Sequence, residues 1–179
     1  MSGLDQLREF SLKAKTSAFG DDIVAFAGVL AEHPTLAVLE LSVPKAFARA
    51  VLHQGFPANL KVLGMGSCDD FDGLLLVLPS GLVALRLAPG ICCSAANFRA
   101  LLSHCPQLRA LSVVCGDEAV GYLASGDVDR PLLLDRNSLP AVTDEDALTA
   151  VGHRVEVPCV GVDWRIAGGV VCNGKGAGI

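Results

Sequence analysis

A chain of 179 residues, 51% of them hydrophobic and only 18% charged, is long enough for one domain with a buried core and too apolar for a disordered chain. The net charge of -5 and the lack of a lysine and arginine cluster argue against a nucleic-acid or anionic-membrane partner, since both need concentrated positive charge. The sequence has no run of about 18 apolar residues, so no membrane span is expected.

Cysteine usage indicates a reducing compartment. The chain has seven cysteines, an odd number, and none of them forms a C-x-x-C pair. This pattern favours free thiols over a disulfide framework. Residues 1–6 lack a basic segment followed by an apolar one, so no secretory signal is predicted. The expected location is cytoplasmic, with import into an organelle as the alternative.

A six-residue pattern, L-x-x-L-x-L, recurs along the chain and is a leucine-rich repeat signature. Apolar residues fill its first, fourth and sixth positions in five copies: Leu7, Phe10 and Leu12; Leu36, Leu39 and Leu41; Leu60, Leu63 and Met65; Leu82, Leu85 and Leu87; Leu108, Leu111 and Val113. The copies start 29, 24, 22 and 26 residues apart. This is the spacing of stacked units that each contain a strand and a helix.

The segments between the patterns have apolar residues at helical spacing, which predicts one amphipathic helix per unit. Residues that cap or open helices place the expected starts near Asp21 or Asp22, at Pro44, near Asp69 or Asp70, and at Ser94. A proline at positions 34, 57, 79 and 106 ends each helix, because the residue before a proline is pushed out of the helical region. Strands connected by such crossovers should be parallel.

After the fifth unit the pattern weakens. A short helix is expected at 117–125. A sixth unit is expected to start at Asp129, with Leu132 and Leu134 at its fourth and sixth positions, and a seventh at Val157. The first position of the sixth unit does not fit the pattern, whereas Val157, Val160 and Val162 restore it in the seventh.

The expected domain organisation is one repeat domain at 1–166, regular over 7–116 and degenerate over 117–166, followed by a glycine-rich flexible tail at 167–179. The tail contains the spacing G-x-x-x-x-G-K of a phosphate-binding loop, from Gly169 to Lys175. However, Gly176 stands where a magnesium-binding serine or threonine is required. The segment is therefore interpreted as a tail and not as a phosphate site.

The L-x-x-L-x-L frame, a helix in each unit, a repeat of about 25 residues and Cys68 at the ninth position of its unit resemble the ribonuclease-inhibitor-like and cysteine-containing branch of the leucine-rich repeat family. The resemblance implies an α/β solenoid of about five to seven repeats, with a curved parallel sheet on the concave side and helices on the convex side. Other ninth positions, Lys15, Pro44, Gly90 and Gly116, lack the usual asparagine or cysteine. The side-chain ladder at that position should therefore be weak.

Proteins of this kind bind other proteins. The resemblance therefore implies a non-enzymatic interaction scaffold with a protein partner, either free-standing or within a multi-subunit assembly. The alternative is a regulatory adaptor, of the ubiquitin-ligase substrate-receptor or GTPase-regulator type, whose second domain lies elsewhere. No F-box-like segment precedes the first repeat, which weakens the ligase alternative.

The expected binding face consists of the third, fifth and seventh positions, which alternate with the core positions along each strand. The candidate contact residues are Val38, Glu40, Val62, Gly64, Gly66, Ala84, Arg86, Ala88, Ser112 and Val114, with Trp164 beyond the last predicted strand. Most are small and would admit a partner closely, while Glu40 and Arg86 are expected to be isolated charges that orient it. Alternatively, the small residues only relieve crowding, and the contact surface is the helical side near Leu76 and Val77.

Catalytic and metal-binding patterns are weak. His104 and Cys105 are adjacent, but consecutive helical side chains point about 100° apart, so His104 is interpreted as a helix-end residue. Cys92 and Cys93 lack a second pair at metal-ligand spacing. We therefore expect no catalytic residue, metal or cofactor. A thiol-dependent enzyme is the least favoured alternative.

Overall fold

The computed structural model describes residues 6–14, 22–88, 92–125, 128, 132–134, 164–167 and 170–173. Its elements in chain order are β1 Glu9–Lys13, α1 Ile23–Ala31, β2 Val38–Ser42, α2 Lys45–Gln54, β3 Val62–Met65, α3 Phe71–Val77, β4 Ala84–Leu87, β5 Cys92–Cys93, α4 Ala95–His104, β6 Ala110–Ser112, β7 Val114–Cys115, α5 Asp117–Ser125, β8 Leu133–Leu134, β9 Trp164–Ala167 and β10 Val170–Asn173. None of the described helices is long and apolar enough to cross a membrane.

The main sheet has the strand order β1-β2-β3-β4-β6-β8, and every neighbouring pair is parallel. The predicted α/β class with parallel strands is confirmed. The register places equivalent positions of successive patterns side by side, so that Leu39 pairs with Leu63, Leu63 with Leu85, and Leu85 with Leu111. Leucines spaced along the sequence therefore form one row across the sheet.

The core lies between this sheet and the helices. Leu39, Leu63 and Leu111 have no exposed surface, and Leu85 is 1% exposed. Helix residues such as Phe47 pack into the same cluster. Because side chains alternate along a strand, the third and fifth positions lie on the opposite side of the sheet. We call this side the open face.

A predicted capping or opening residue stands directly before each of the four helices α1 to α4. Pro44 precedes α2; the Asp70 side chain accepts a hydrogen bond from the Gly73 amide at 2.8 Å, and Ser94 caps α4 in the same way. Asp22 precedes α1 but makes no side-chain cap bond, so the predicted cap is wrong at this residue. Its backbone is already helical, whereas a capping side chain needs an extended one.

Side chains tie the loops of successive units together. Thr35 Oγ1 donates to the Leu7 carbonyl at 3.0 Å, and Asn59 Nδ2 donates to the Pro34 carbonyl at 2.7 Å. His104 Nε2 lies 2.6 Å from the Leu78 carbonyl; since a carbonyl only accepts, this nitrogen is the donor. These three ties lie before the strands β2, β3 and β6, whereas the ninth position of a unit follows its strand.

The predicted register of the sixth unit is wrong by two residues. Leu134 pairs with Leu111 and so takes the fourth position, where Leu132 was expected. A shift of two residues keeps the same side chains on the same face of a strand. The hydrophobic pattern therefore could not distinguish the two registers. The predicted seventh unit at Val157 lies outside the described residues.

Part of the predicted flexible tail has regular structure. β9 and β10 pair antiparallel as a separate two-stranded sheet. Gly168-Gly169, a two-residue sequence typical of tight hairpins, separates them. The helical side also differs in one detail: Leu76 is 84% exposed as predicted, but Val77 is only partly exposed.

Candidate functional site

The fifth positions of the five regular units form a row across the open face. The pairing runs from Ser11 to Glu40, Gly64, Arg86 and Ser112. Two charged side chains therefore flank one glycine on adjacent strands. This row places the predicted contact residues of four units, Glu40, Gly64, Arg86 and Ser112, side by side.

The sequence predicts that Glu40 and Arg86 are isolated charges, and this prediction is wrong. Their side chains reach toward each other over Gly64, with Arg86 Nη1 4.0 Å from Glu40 Oε1, and each remains 38% exposed. A Cβ at Gly64 would lie 3.4 Å from Glu40 Cγ, an ordinary contact distance, so the space above this residue has room for little more than a methyl group. A larger side chain at Gly64 would occupy the space that the ion pair spans.

The floor of the open face is less accessible than predicted. Val62 is 5% exposed, Ala84 3% and Ser112 7%; Gly64 is also buried. Small side chains here allow the long Glu40 and Arg86 side chains to lie over the sheet. A partner would therefore meet the charged groups before the floor.

The seventh positions differ from the floor. Gly66 is exposed, and its amide donates to the Leu41 carbonyl at 2.6 Å. A Cβ at Gly66 would lie 3.0 Å from Ser42 Cα, which is tighter than most such contacts, so Ser42 would have to shift slightly. The absence of a side chain at Gly66 thus has a packing reason. Ala88, another seventh position, is partly exposed, and so is Val38, a third position. Both border the charged pair.

Two predicted contact residues, Val114 and Trp164, lie in strands of other sheets. Val114 belongs to β7, which pairs with Cys92 of β5 in a separate parallel sheet. Its assignment to the seventh position of the main sheet is therefore wrong. The chain leaves the main sheet after Ser112, so the alternation no longer predicts the face. Trp164 lies in β9 and pairs with Asn173 of β10.

A second charged cluster lies on the helical side and was not predicted from the sequence. Arg49 of α2 donates two hydrogen bonds to the Asp69 carboxylate, from Nη2 to Oδ2 at 2.6 Å and from Nε to Oδ1 at 3.4 Å. Lys45 Nζ lies 4.0 Å from Asp69 Oδ2. An open cleft of about 490 Å³ adjoins them, lined also by Leu52 and His53. No local signal links residues 20 positions apart, since their contact depends on how α2 and the start of α3 face each other.

Arg49 holds the pKa of Asp69 below its ordinary value, mainly through the hydrogen bond between the two side chains. Asp69 raises the pKa of Arg49 in the same way. Both groups are accessible to solvent, with Arg49 68% and Asp69 27% exposed. Water and salt weaken such a pair, so its contribution to stability is small.

We expect Asp69→Asn to destabilise the fold slightly at neutral pH and not at low pH. Because the folded-state pKa of Asp69 is lowered, the ion pair stabilises above the ordinary aspartate pKa of about 4. The contribution is lost as the pH falls through the folded-state value. Denaturation midpoints of the native protein and the variant should converge as the pH is lowered. A gap that persists in acid would assign the effect to packing instead.

The described thiols are poorly placed for nucleophilic chemistry. Burial raises the pKa of the Cys68 thiol, which reduces the thiolate that attacks a substrate. Cys93, Cys105 and Cys115 are buried. Within the described part of the chain, no three histidine, cysteine, aspartate or glutamate side chains are grouped so that they could hold a metal ion.

Comparison of the chain with protein-family models, with curated proteins and with solved structures gives no match. These comparisons assign no family, relative or fold neighbour. The basis for a functional proposal is therefore the chemistry of the open face and of the helical side.

Proposed function

We propose that this chain is a leucine-rich repeat domain that binds another protein through the open face of its sheet. The observation that carries the proposal is the Glu40–Arg86 pair over Gly64, with 38% of each side chain exposed. It lies on a row where successive units are in register. The in-register leucines and the order of strands and helices support the repeat assignment.

The geometry of the pair suits recognition more than stability. A solvent-exposed ion pair is worth about 0 to 1 kcal/mol, and the 4.0 Å separation of Glu40 and Arg86 is at the long end for such a contact. A partner can therefore exchange this ion pair for its own charged groups at little cost. Opposite charges on neighbouring strands would also fix the direction in which the partner docks.

A scaffold within an assembly and a regulatory adaptor make the same use of this face. The two functions differ in which proteins bind to the face. Quantitative mass spectrometry of proteins that co-purify with the chain separates them, because a structural subunit has stoichiometric partners. An adaptor would instead co-purify with ligase components or a GTPase.

Arg86→Glu is expected to weaken partner binding at least tenfold, since it reverses a charge at the centre of the row. Gly64→Trp is expected to weaken it similarly by filling the space above the floor. Binding is measured by titration of the co-purified partner, and thermal unfolding shows whether each variant still folds. The control is Leu76→Glu, which introduces a charge at an exposed residue on the helical side.

The double variant Glu40→Arg/Arg86→Glu separates recognition from folding. It keeps an ion pair over Gly64 but reverses its direction, so the fold should be unaffected while the partner is lost. If the double variant binds normally and Leu76→Glu abolishes binding, the partner docks on the helices and the proposal is wrong.

A further inference from the structure

The strand β1 leaves one edge of the main sheet unpaired among the described strands, since β2 is its only neighbour. The amide of Val38 donates to the Arg8 carbonyl at 2.9 Å, and the Ala14 amide donates to the Ser42 carbonyl at 2.9 Å. Even-numbered residues of β1 therefore bond toward β2. Because bonding groups alternate along a strand, the backbone N–H and C=O groups of Glu9, Ser11 and Lys13 point away from the sheet.

The sequence of this edge is complementary to itself. If a second copy is placed antiparallel with Ser11 opposite Ser11, then Glu9 lies opposite Lys13 of that copy, and Lys13 lies opposite its Glu9. All three pairs involve the residues whose backbone groups point away from the sheet, so each pair exchanges two hydrogen bonds. Opposite charges at such directly facing positions stabilise a strand pair.

The core also remains open at this edge. Phe10 and Leu12 are partly exposed, whereas Leu39 and Leu41 at the same positions of the next unit are 0% and 2% exposed. In the antiparallel arrangement Phe10 faces Leu12 of the second copy, so pairing would cover the apolar side chains as well. The adjacent helix α1 carries Val24 and Val29, which are 55% and 63% exposed.

Edge strands in natural proteins are often charged in ways that prevent self-association. A protective pattern would bring like charges together when two copies meet. In β1 the charged residues are spaced so that pairing about Ser11 joins glutamate to lysine on both sides. Neither Glu9 nor Lys13 forms an ion pair elsewhere among the described residues, so both remain available.

We propose that two copies of this chain associate through β1, antiparallel about a twofold axis at Ser11, to form one continuous sheet. This is an isologous interface, in which the same strand serves both partners. The edge of β1 does not include the Glu40–Arg86 pair, so either surface can fail its test without the other.

Ser11→Pro tests the backbone pairing. The Ser11 amide points away from β2, so proline removes a hydrogen bond of the dimer and leaves the β1–β2 ladder intact. Sedimentation equilibrium should show a concentration-dependent dimer for the native chain and a monomer for Ser11→Pro. Conversely, Ser11→Cys should form an intermolecular disulfide on oxidation, since facing residues of a bonded pair lie about 5.5 Å apart. Leu76→Cys is the control.

The charge pattern supplies a second test that does not depend on proline. Glu9→Lys and Lys13→Glu should each weaken self-association about tenfold, because each variant brings like charges together at both ends. A mixture of the two variants should associate again, since every facing pair is then opposite in charge. A chain that stays monomeric at millimolar concentration would overturn the proposal, as would a dimer insensitive to Ser11→Pro and to both charge reversals.

Discussion

Leu85→Ala should lower the free energy of unfolding by about 2 to 5 kcal/mol. Leu85 is 1% exposed and lies between Leu63 and Leu111 in the central row of the sheet. Truncation leaves a cavity that neighbours on both sides would have to fill, and close-packed interiors relax only in part. Chemical denaturation followed by circular dichroism measures the loss.

The control for Leu85→Ala is Leu76→Ala, which removes the same atoms from a side chain that is 84% exposed. It should change stability by less than about 0.5 kcal/mol. Equal effects for the two variants would contradict the assignment of Leu85 to the fourth, core-facing position.

Phe47→Ala should be at least as damaging, with a loss of about 3 to 5 kcal/mol. Phe47 has no exposed surface, and its ring lies 5.9 Å from that of Phe26, which in turn lies 5.8 Å from Phe10. This aromatic series joins α2 to α1 and β1, so its loss should loosen that end of the sheet first.

Hydrogen exchange resolves where Phe47→Ala acts. Amides of β1 and β2 should lose more protection than those of β6. Phe47→Leu is the matched control, since it keeps most of the apolar volume and should cost less than the alanine change. Uniform loss of protection across the whole sheet would contradict the expected local effect.

The helices and the strands β1 to β4 and β6 could be predicted because they depend on local signals, whereas the pairs β5–β7 and β9–β10 lie outside the six-residue pattern and were not predicted. The spacing of the leucines fixes which side chains face the core, and capping residues such as Asp70 and Ser94 mark helix starts. The register of β8 could not be predicted, because Leu132 and Leu134 lie on the same face under either alignment. The pairing of β8 with β6 therefore sets the register, which the hydrophobic pattern does not specify.

Of the two charged pairs, the neighbouring positions of one could be predicted from the sequence and those of the other could not. Glu40, Gly64 and Arg86 all occupy fifth positions, so their adjacency followed from the repeat register, and the ion pair over the glycine was a missed consequence. The Arg49–Asp69 pair had no such signal, because it depends on how α2 lies against the loop before α3. The buried floor was also missed, since alternation predicts which face a residue lies on and not how much neighbouring side chains cover it.

Site-specific photo-crosslinking tests most directly whether the open face binds the partner. A photoreactive amino acid is substituted for Val38, which borders the charged pair and is partly exposed, or for Leu76 on the helical side, in cells that make the protein. We expect illumination to join the partner covalently to the chain substituted at Val38 and not to the chain substituted at Leu76. Crosslinking of a stoichiometric partner from Leu76 alone would contradict binding through the open face.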